Sequence, residues 1–264
     1  KDFEANRSLD EVSWIHRRMG DTDFYYVANR TDKVQDLNVE FRVGSKQPEL
    51  WYPDNGNALP VSYSIDDDIT RVPLKLDRHE AVFVVFNKKA EADSKVIPVK
   101  SSTPVLTLDG AWKINFPPNW GAPENLEMPK LESWTQNADP GVKYFSGTAT
   151  YTKEFDVKKS VLKGNNKLLL DLGDVRDIAE VYVNGKVVDT LWKAPYVADV
   201  STALKGGKNL IEIKVTNQWT NRLIGDQAAG EGKRILSSYT APFGGRYQLT
   251  ESGLLGPGKA GSCC

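Results

Sequence analysis

From Lys167 to Thr216 apolar and polar residues alternate at every second position, and no other feature of the chain constrains its fold as strongly. Leu168, Leu170 and Leu172 alternate with Leu169 and Asp171. Ala179, Val181 and Val183 alternate with Glu180 and Tyr182, and Ile211, Ile213 and Val215 with Glu212 and Lys214. A period of two places one face of each strand in a core. Asn184-Gly185 breaks the second run; both residues tolerate the positive φ of a type I′ turn, so a hairpin is expected there. A further break at Lys205-Gly206-Gly207-Lys208 leads into the last run. The segment reads as the spine of an antiparallel sheet.

The first third of the chain carries the same signature. Trp14–Arg18, Phe24–Ala28, Leu37–Val43, Glu49–Tyr52, Pro60–Ile65, Ile69–Leu76 and Ala81–Phe86 read as seven short strands separated by turns. Strands at that spacing suggest a small β-sandwich over residues 12–98. Lys88–Thr103 is polar and aperiodic, and Pro98 and Pro104 discourage continuous structure, so the boundary is placed there. A second module is expected over residues 104–257. Within it, Leu131–Gly147 reads as mostly loop, Asn217–Arg222 is followed by a Gly-rich polar loop to Lys233, and no helix of ten residues is expected anywhere.

Composition excludes several classes. The 264 residues carry 34 Lys and Arg against 35 Asp and Glu, so no basic footprint of a nucleic-acid binder exists. No apolar run approaches the roughly 18 residues that span a bilayer. Lys1–Asp10 is charged and lacks the apolar core of a secretory signal, and the chain opens without Met, as an excised or mature piece would. Cys263 and Cys264 are adjacent, which suits neither a disulfide framework nor a zinc site. His16 and His79 are too few for a metal cluster, and His16 reads as a strand histidine bonded to backbone. No metal or cofactor is expected. Calcium is the one alternative, because Asp66-Asp67-Asp68 offers hard oxygen ligands, but without EF-hand spacing a solvated hairpin loop is the preferred reading.

Lys143–Tyr151 resembles the strand entry of the sugar-binding jelly roll in family 2 glycoside hydrolases, and Asp177–Gly185 resembles that domain's central hairpin. Trp219–Asp226, with Ser252–Pro257, is similar to the C-terminal part of large bacterial α-L-rhamnosidases of the family 106 type. Trp14–Arg18 followed by Phe24–Asn29 resembles the β-sandwich after the catalytic barrel of those enzymes. The resemblance covers about Ser13 to Pro257. It implies an all-β chain of two sandwich modules, the second a galactose-binding-like jelly roll. It also implies a periplasmic or extracellular setting, with carbohydrate and the catalytic barrel of a parent enzyme as partners. The family pattern would continue after Pro257 as an apolar strand; Gly258–Cys264 is not expected to pack as one.

The catalytic carboxylates of such enzymes belong to an upstream (β/α)₈ barrel, and no strand–helix alternation here could build one. The chain therefore reads as a non-catalytic, carbohydrate-binding or barrel-supporting region of a plant-glycan-degrading enzyme. Two alternatives stand beside it: purely structural bracing domains, and a small glycosidase of its own. A glycosidase needs two carboxylates about 5 to 9.5 Å apart, and Asp171, Asp174, Asp177, Asp226 and Glu231 are the candidates. Sugar binding needs planar aromatics and bidentate polar groups, and the best concentration is Trp120, Trp192, Tyr196, Trp219, Asn221 and Arg222. Against that, Trp219 could serve the core and Arg222 could pair internally with Asp226.

Overall fold

The computed structural model describes residues 2–6, 10–98, 102–163, 167–230, 232–236, 248–256 and 259–263. The chain is all-β and divides into two compact units, Lys1–Val99 and Lys100–Cys264.

The first unit contains β1 (Phe3–Ala5), β2 (Val12–Met19), β3 (Thr22–Asn29), β4 (Gln35–Phe41), β5 (Lys46–Trp51), β6 (Ala58–Pro60), β7 (Tyr63–Asp66), β8 (Ile69–Leu76), β9 (Ala81–Lys89) and β10 (Ser94–Lys95). That is three more than the seven read from sequence; β1, β6 and β10 are short edge strands with too few residues to show a period. The strands form two antiparallel sheets, β1-β4-β8-β7-β10 and β2-β3-β9-β5-β6. Alternation fills the space between them. Leu37, Val39 and Phe41 from β4 meet Tyr25 and Val27 from β3 and Val82, Val84 and Phe86 from β9, all buried. Phe41 packs edge-on against both Tyr25 and Phe86, an arrangement aromatic quadrupoles favour.

His16 corrects the sequence reading. It bonds two carboxylates rather than backbone, Asp2 Oδ2 at 2.9 Å and Asp23 Oδ1 at 3.0 Å, while its ring stacks on Tyr25. Asp23 is buried and also meets Arg18 and Lys46, so its charge is compensated. Asp66-Asp67-Asp68 forms the β7–β8 hairpin; Asp67 takes φ 51° and Asp66 pairs with Arg71 at 3.2 Å. Among the described residues no three His, Cys, Asp or Glu side chains gather as a metal site.

The second unit is also built of antiparallel sheets. In chain order it contains β11 (Ser102–Thr107), β12 (Trp112–Asn115), β13 (Asn125–Met128), α1 (Pro140–Lys143), β14 (Thr148–Val157), β15 (Lys167–Asp171), β16 (Asp174–Arg176), β17 (Ile178–Val183), β18 (Lys186–Leu191), β19 (Val197–Asp199), β20 (Gly207–Thr216), α2 (Thr220–Ala229), β21 (Gly253–Gly256) and β22 (Lys259–Cys263). One sheet runs β13-β12-β14-β20-β17-β18, another β11-β22-β15-β19, and β16 pairs with β21. Asn184 and Gly185 take φ 52° and 76°, the positive values that the β17–β18 turn requires. Ala179, Val181, Val183, Ile211, Ile213 and Val215 are buried, as the period of two demands. Trp112, Trp134 and Tyr151 complete the core, and the Tyr151 hydroxyl accepts from Trp134 Nε1 at 2.6 Å and Leu254 N at 3.1 Å.

Leu131–Gly147 is mostly loop, and two other expectations fail here for physical reasons. Leu131–Gly147 contains a 3₁₀ turn at Trp134–Gln136 and the single-turn α1, each started by a side-chain cap, Ser133 and Asp139. Thr220–Ala229 is a ten-residue helix, α2, whose buried positions are Asn221, Arg222, Gly225 and Asp226. A helix that buries a polar face shows no apolar period of 3.6 residues. Lys259–Cys263 is strand β22, seated between β11 and β15. Backbone pairing on both sides does not require apolar side chains, so the pattern-based rejection of Gly258–Cys264 as a strand was wrong.

Candidate functional site

The site begins at the start of α2. Arg222 N–H donates to Ser146 Oγ at 3.0 Å, which satisfies one of the free amides at the helix N-terminus. Asn221 Nδ2 donates to the Thr250 carbonyl at 2.7 Å and its Oδ1 accepts from Thr250 N at 2.9 Å. Asn221 thus ties α2 to the segment before β21, and its polar groups are engaged inside the fold. Gly225 allows α2 to approach closely: a Cβ there would lie 2.5 Å from Tyr144 Cβ and 2.6 Å from Arg222 Nη2.

Asp226 sits one turn after Arg222 and is buried. Its Oδ1 accepts from Ile235 N at 3.1 Å and its Oδ2 from Leu236 N at 2.9 Å. Arg222 Nε lies 3.4 Å from Asp226 Oδ1, an ion-pair distance, but without hydrogen-bond alignment. Burial works against the Arg222 cation and lowers its pKa, and Asp226 offsets part of that. Arg222 Nη1 reaches the Trp120 carbonyl at 3.5 Å.

Trp219 stands just before α2 and is 52% exposed, so it does not serve the core. Its ring lies 5.7 Å from that of Trp120, tilted by 56°. Trp120 is half-buried against the core, so the pair offers one anchored and one open ring. An open cleft of about 370 Å³ is lined by Gly121, which follows Trp120 in the chain, and by Tyr144, Arg222, Gly225, Asp226 and Lys233 among others; neither tryptophan lines it.

The remaining candidates are elsewhere. Tyr196 is buried and its hydroxyl donates to the Asp177 carbonyl at 2.8 Å. Trp192 is 59% exposed beyond the end of β18. Asp171 accepts from Gly173 N at 2.8 Å in a turn. Asp174 pairs with Arg176 at 2.6 Å, and Arg176 pairs in turn with Glu251 at 3.0 Å. Glu231 lies outside the described residues. The sequence reading passed over Tyr144 and Lys233, because the cleft is assembled from segments near 121, 140–144, 222–229 and 233–235 that no local spacing connects. The Arg222–Asp226 spacing of four residues was the one local signal.

The chain resembles β-domains of glycoside hydrolases. Residues 133–241 match the galactose-binding domain-like model of glycosyl hydrolase family 2, and residues 1–65 match the alpha-L-rhamnosidase model of glycoside hydrolase family 106. In particular, the chain is rhamnosidase-like. It superposes on the solved rhamnosidase from Novosphingobium sp. PP1Y with a TM-score of 0.86 and 43% identity, over 99% of this chain and 25% of that one. It is also 51% identical over 129 residues to a curated Formosa agariphila protein that carries the name of a beta-glucuronidase. That stretch is 49% of this chain and 11% of the relative. The chain thus spans about a quarter of the solved rhamnosidase and a smaller part of the curated relative.

Proposed function

We propose that the chain is an ancillary, sugar-binding region of a plant-glycan-degrading glycoside hydrolase, and that the site beside α2 is where it meets glycan. The observation that carries this reading is the Trp120–Trp219 pair, one ring open to solvent, next to a cleft that contains a buried guanidinium. An exposed indole offers an apolar plane to the axial C–H face of a sugar, and the cleft supplies polar groups for its hydroxyls. Three of the five candidate carboxylates are already engaged, which weighs against a glycosidase within this chain. Asp226 is committed to two loop amides, Asp174 to Arg176, and Asp171 to its own turn.

A bracing role for a catalytic barrel has support of its own. Ile178, Val187 and Trp192 are exposed large apolar residues in and just beyond the β17–β18 hairpin. Both roles fit a periplasmic or extracellular parent enzyme. Among the described residues no helix is long and apolar enough to cross a membrane.

Two measurements on the purified chain test the proposal. Aryl glycosides, α-L-rhamnoside included, should not be turned over; turnover abolished by one carboxylate substitution would overturn the ancillary reading. Titration with plant oligosaccharides should show binding that Trp219→Ala weakens about tenfold or more, the loss typical of a central aromatic anchor. Equal affinity in the variant would move the site away from α2.

A further inference from the structure

The cleft beside α2 holds a cation with too few acceptors. A guanidinium carries five N–H donors. The Arg222 side chain is 5% exposed, its Nε has no hydrogen-bond partner, and Nη1 reaches one carbonyl at the outer distance limit. Among the described residues Nε is one of two buried side-chain polar atoms left without a partner, Gln35 Oε1 being the other. Asp226 is the natural counter-ion, yet both its oxygens are taken by the amides of Ile235 and Leu236. It balances charge at short range but leaves donors idle, and idle donors on a buried charge are unfavourable.

The guanidinium lies against two glycines of the cleft wall. A Cβ at Gly225 would lie 2.6 Å from Nη2, and one at Gly121 would lie 3.3 Å from Nη1. Both glycines line the cleft, so the backbone lets the buried guanidinium reach its wall, with the side chains of Tyr144 and Ile235 packed beside those glycines. Lys233, which is exposed, adds a second positive charge. Among the described residues the charged lining is then Arg222 and Lys233 against Asp226. We infer that the cleft binds an oxyanion carried on a sugar, either a carboxylate or a sulfate ester. Arg222 is its main partner, Lys233 assists, and the sugar ring lies toward Trp219 and Trp120. A planar guanidinium fork matches either oxyanion through paired N–H donors. The inference rests on the sugar-binding reading above and adds the charge class of the ligand.

The test uses the full chain and ligands matched in shape. D-Glucose, methyl D-glucuronate, D-glucuronate and D-glucose 6-sulfate are titrated while the Trp indole N–H signals are followed by NMR. At least one of the two anions should bind about tenfold tighter than both neutral sugars, equivalent to about 1.4 kcal/mol. Which anion wins separates a carboxylate site from a sulfate site. The preference should shrink as salt is raised and fall about threefold in Lys233→Ala. Arg222→Gln should abolish it; because that change disturbs a buried pair, the matched ligands on the unaltered chain carry the test. Equal binding of all four sugars would overturn the anion inference and leave the sugar-binding reading standing. Acetate or free sulfate binding as tightly as the sugar anions would overturn the inference as stated, since the ring would contribute nothing. Failure of these sugars and of plant oligosaccharides alike would overturn both readings.

Discussion

Asp226→Asn decides whether this carboxylate clamps the fold or performs chemistry. Its two oxygens hold the amides of Ile235 and Leu236, and its charge faces buried Arg222. Asparagine keeps one acceptor oxygen but turns an NH₂ group toward the second amide. Losing a charged acceptor there costs about 1.5–3 kcal/mol. Arg222 also loses its counter-charge, and breaking a buried pair from one side costs about 3–5 kcal/mol. The two effects share one carboxylate and overlap, so the expected loss is about 3–5 kcal/mol in all. For the unit Lys100–Cys264, each kcal/mol shifts Tm by about 2–4 °C, giving a drop of about 6–20 °C. Scanning calorimetry reads this directly. Asp171→Asn is the control: Asp171 is exposed and asparagine can still accept from Gly173 N, so Tm should move by less than about 2 °C. An Asp226→Asn protein melting within about 2 °C of the parent would refute the clamp. Loss of glycoside turnover at unchanged Tm would instead make Asp226 a reacting group.

Three other outcomes follow from the same geometry. Tyr151→Phe should cost about 2–5 kcal/mol in urea unfolding, because Trp134 Nε1 and Leu254 N–H would both be left buried without an acceptor; an unchanged midpoint would show that the donors find other acceptors. Gly253→Ala should destabilise by about 3 kcal/mol or more, since φ is 97° and the added Cβ would lie 2.7 Å from Trp134 Nε1 and Tyr151 Oη; soluble, parent-like protein would contradict the packing. The first unit should lose stability in acid. The Lys88 hydrogen bond, with that of Trp51, holds the Glu49 carboxyl below its usual pKa against the effect of burial. Burial raises the Asp2 carboxyl, but His16, Tyr25 and Arg42 outweigh it and hold it low as well. Both contributions are complete above the ordinary carboxylate range near about 4 and are lost as pH falls through the lower folded values. Urea midpoints from pH 7 to 3 should fall less steeply in Asp2→Asn, and an identical slope would refute the assignment.

The strands were legible because a residue in a half-buried strand declares its face by parity. Ile211, Ile213 and Val215 are apolar for the same reason that Glu212 and Lys214 are not. α2 was not legible, since what it buries is polar: Asn221, tied to Thr250, Asp226, tied to the amides of Ile235 and Leu236, and the Arg222 cation beside them. The Arg222–Asp226 pairing was visible as a spacing of four. The meeting of Trp120 with Trp219 was not, because it is a property of the folded jelly roll alone. Tyr196 shows the converse: an aromatic in a plausible place for sugar is spent on the core and on the Asp177 carbonyl.

The place of β22 governs how the second unit must assemble. Ser102 and Lys167 both face Cys263, so the first strand of the sheet and one from its middle are joined only through the last. Until that strand arrives, β11 and β15 each present a row of open amides and carbonyls, the template on which edge-to-edge aggregation grows. Contacts so distant along the chain also close slowly. β22 therefore acts as a latch that removes two open edges at once.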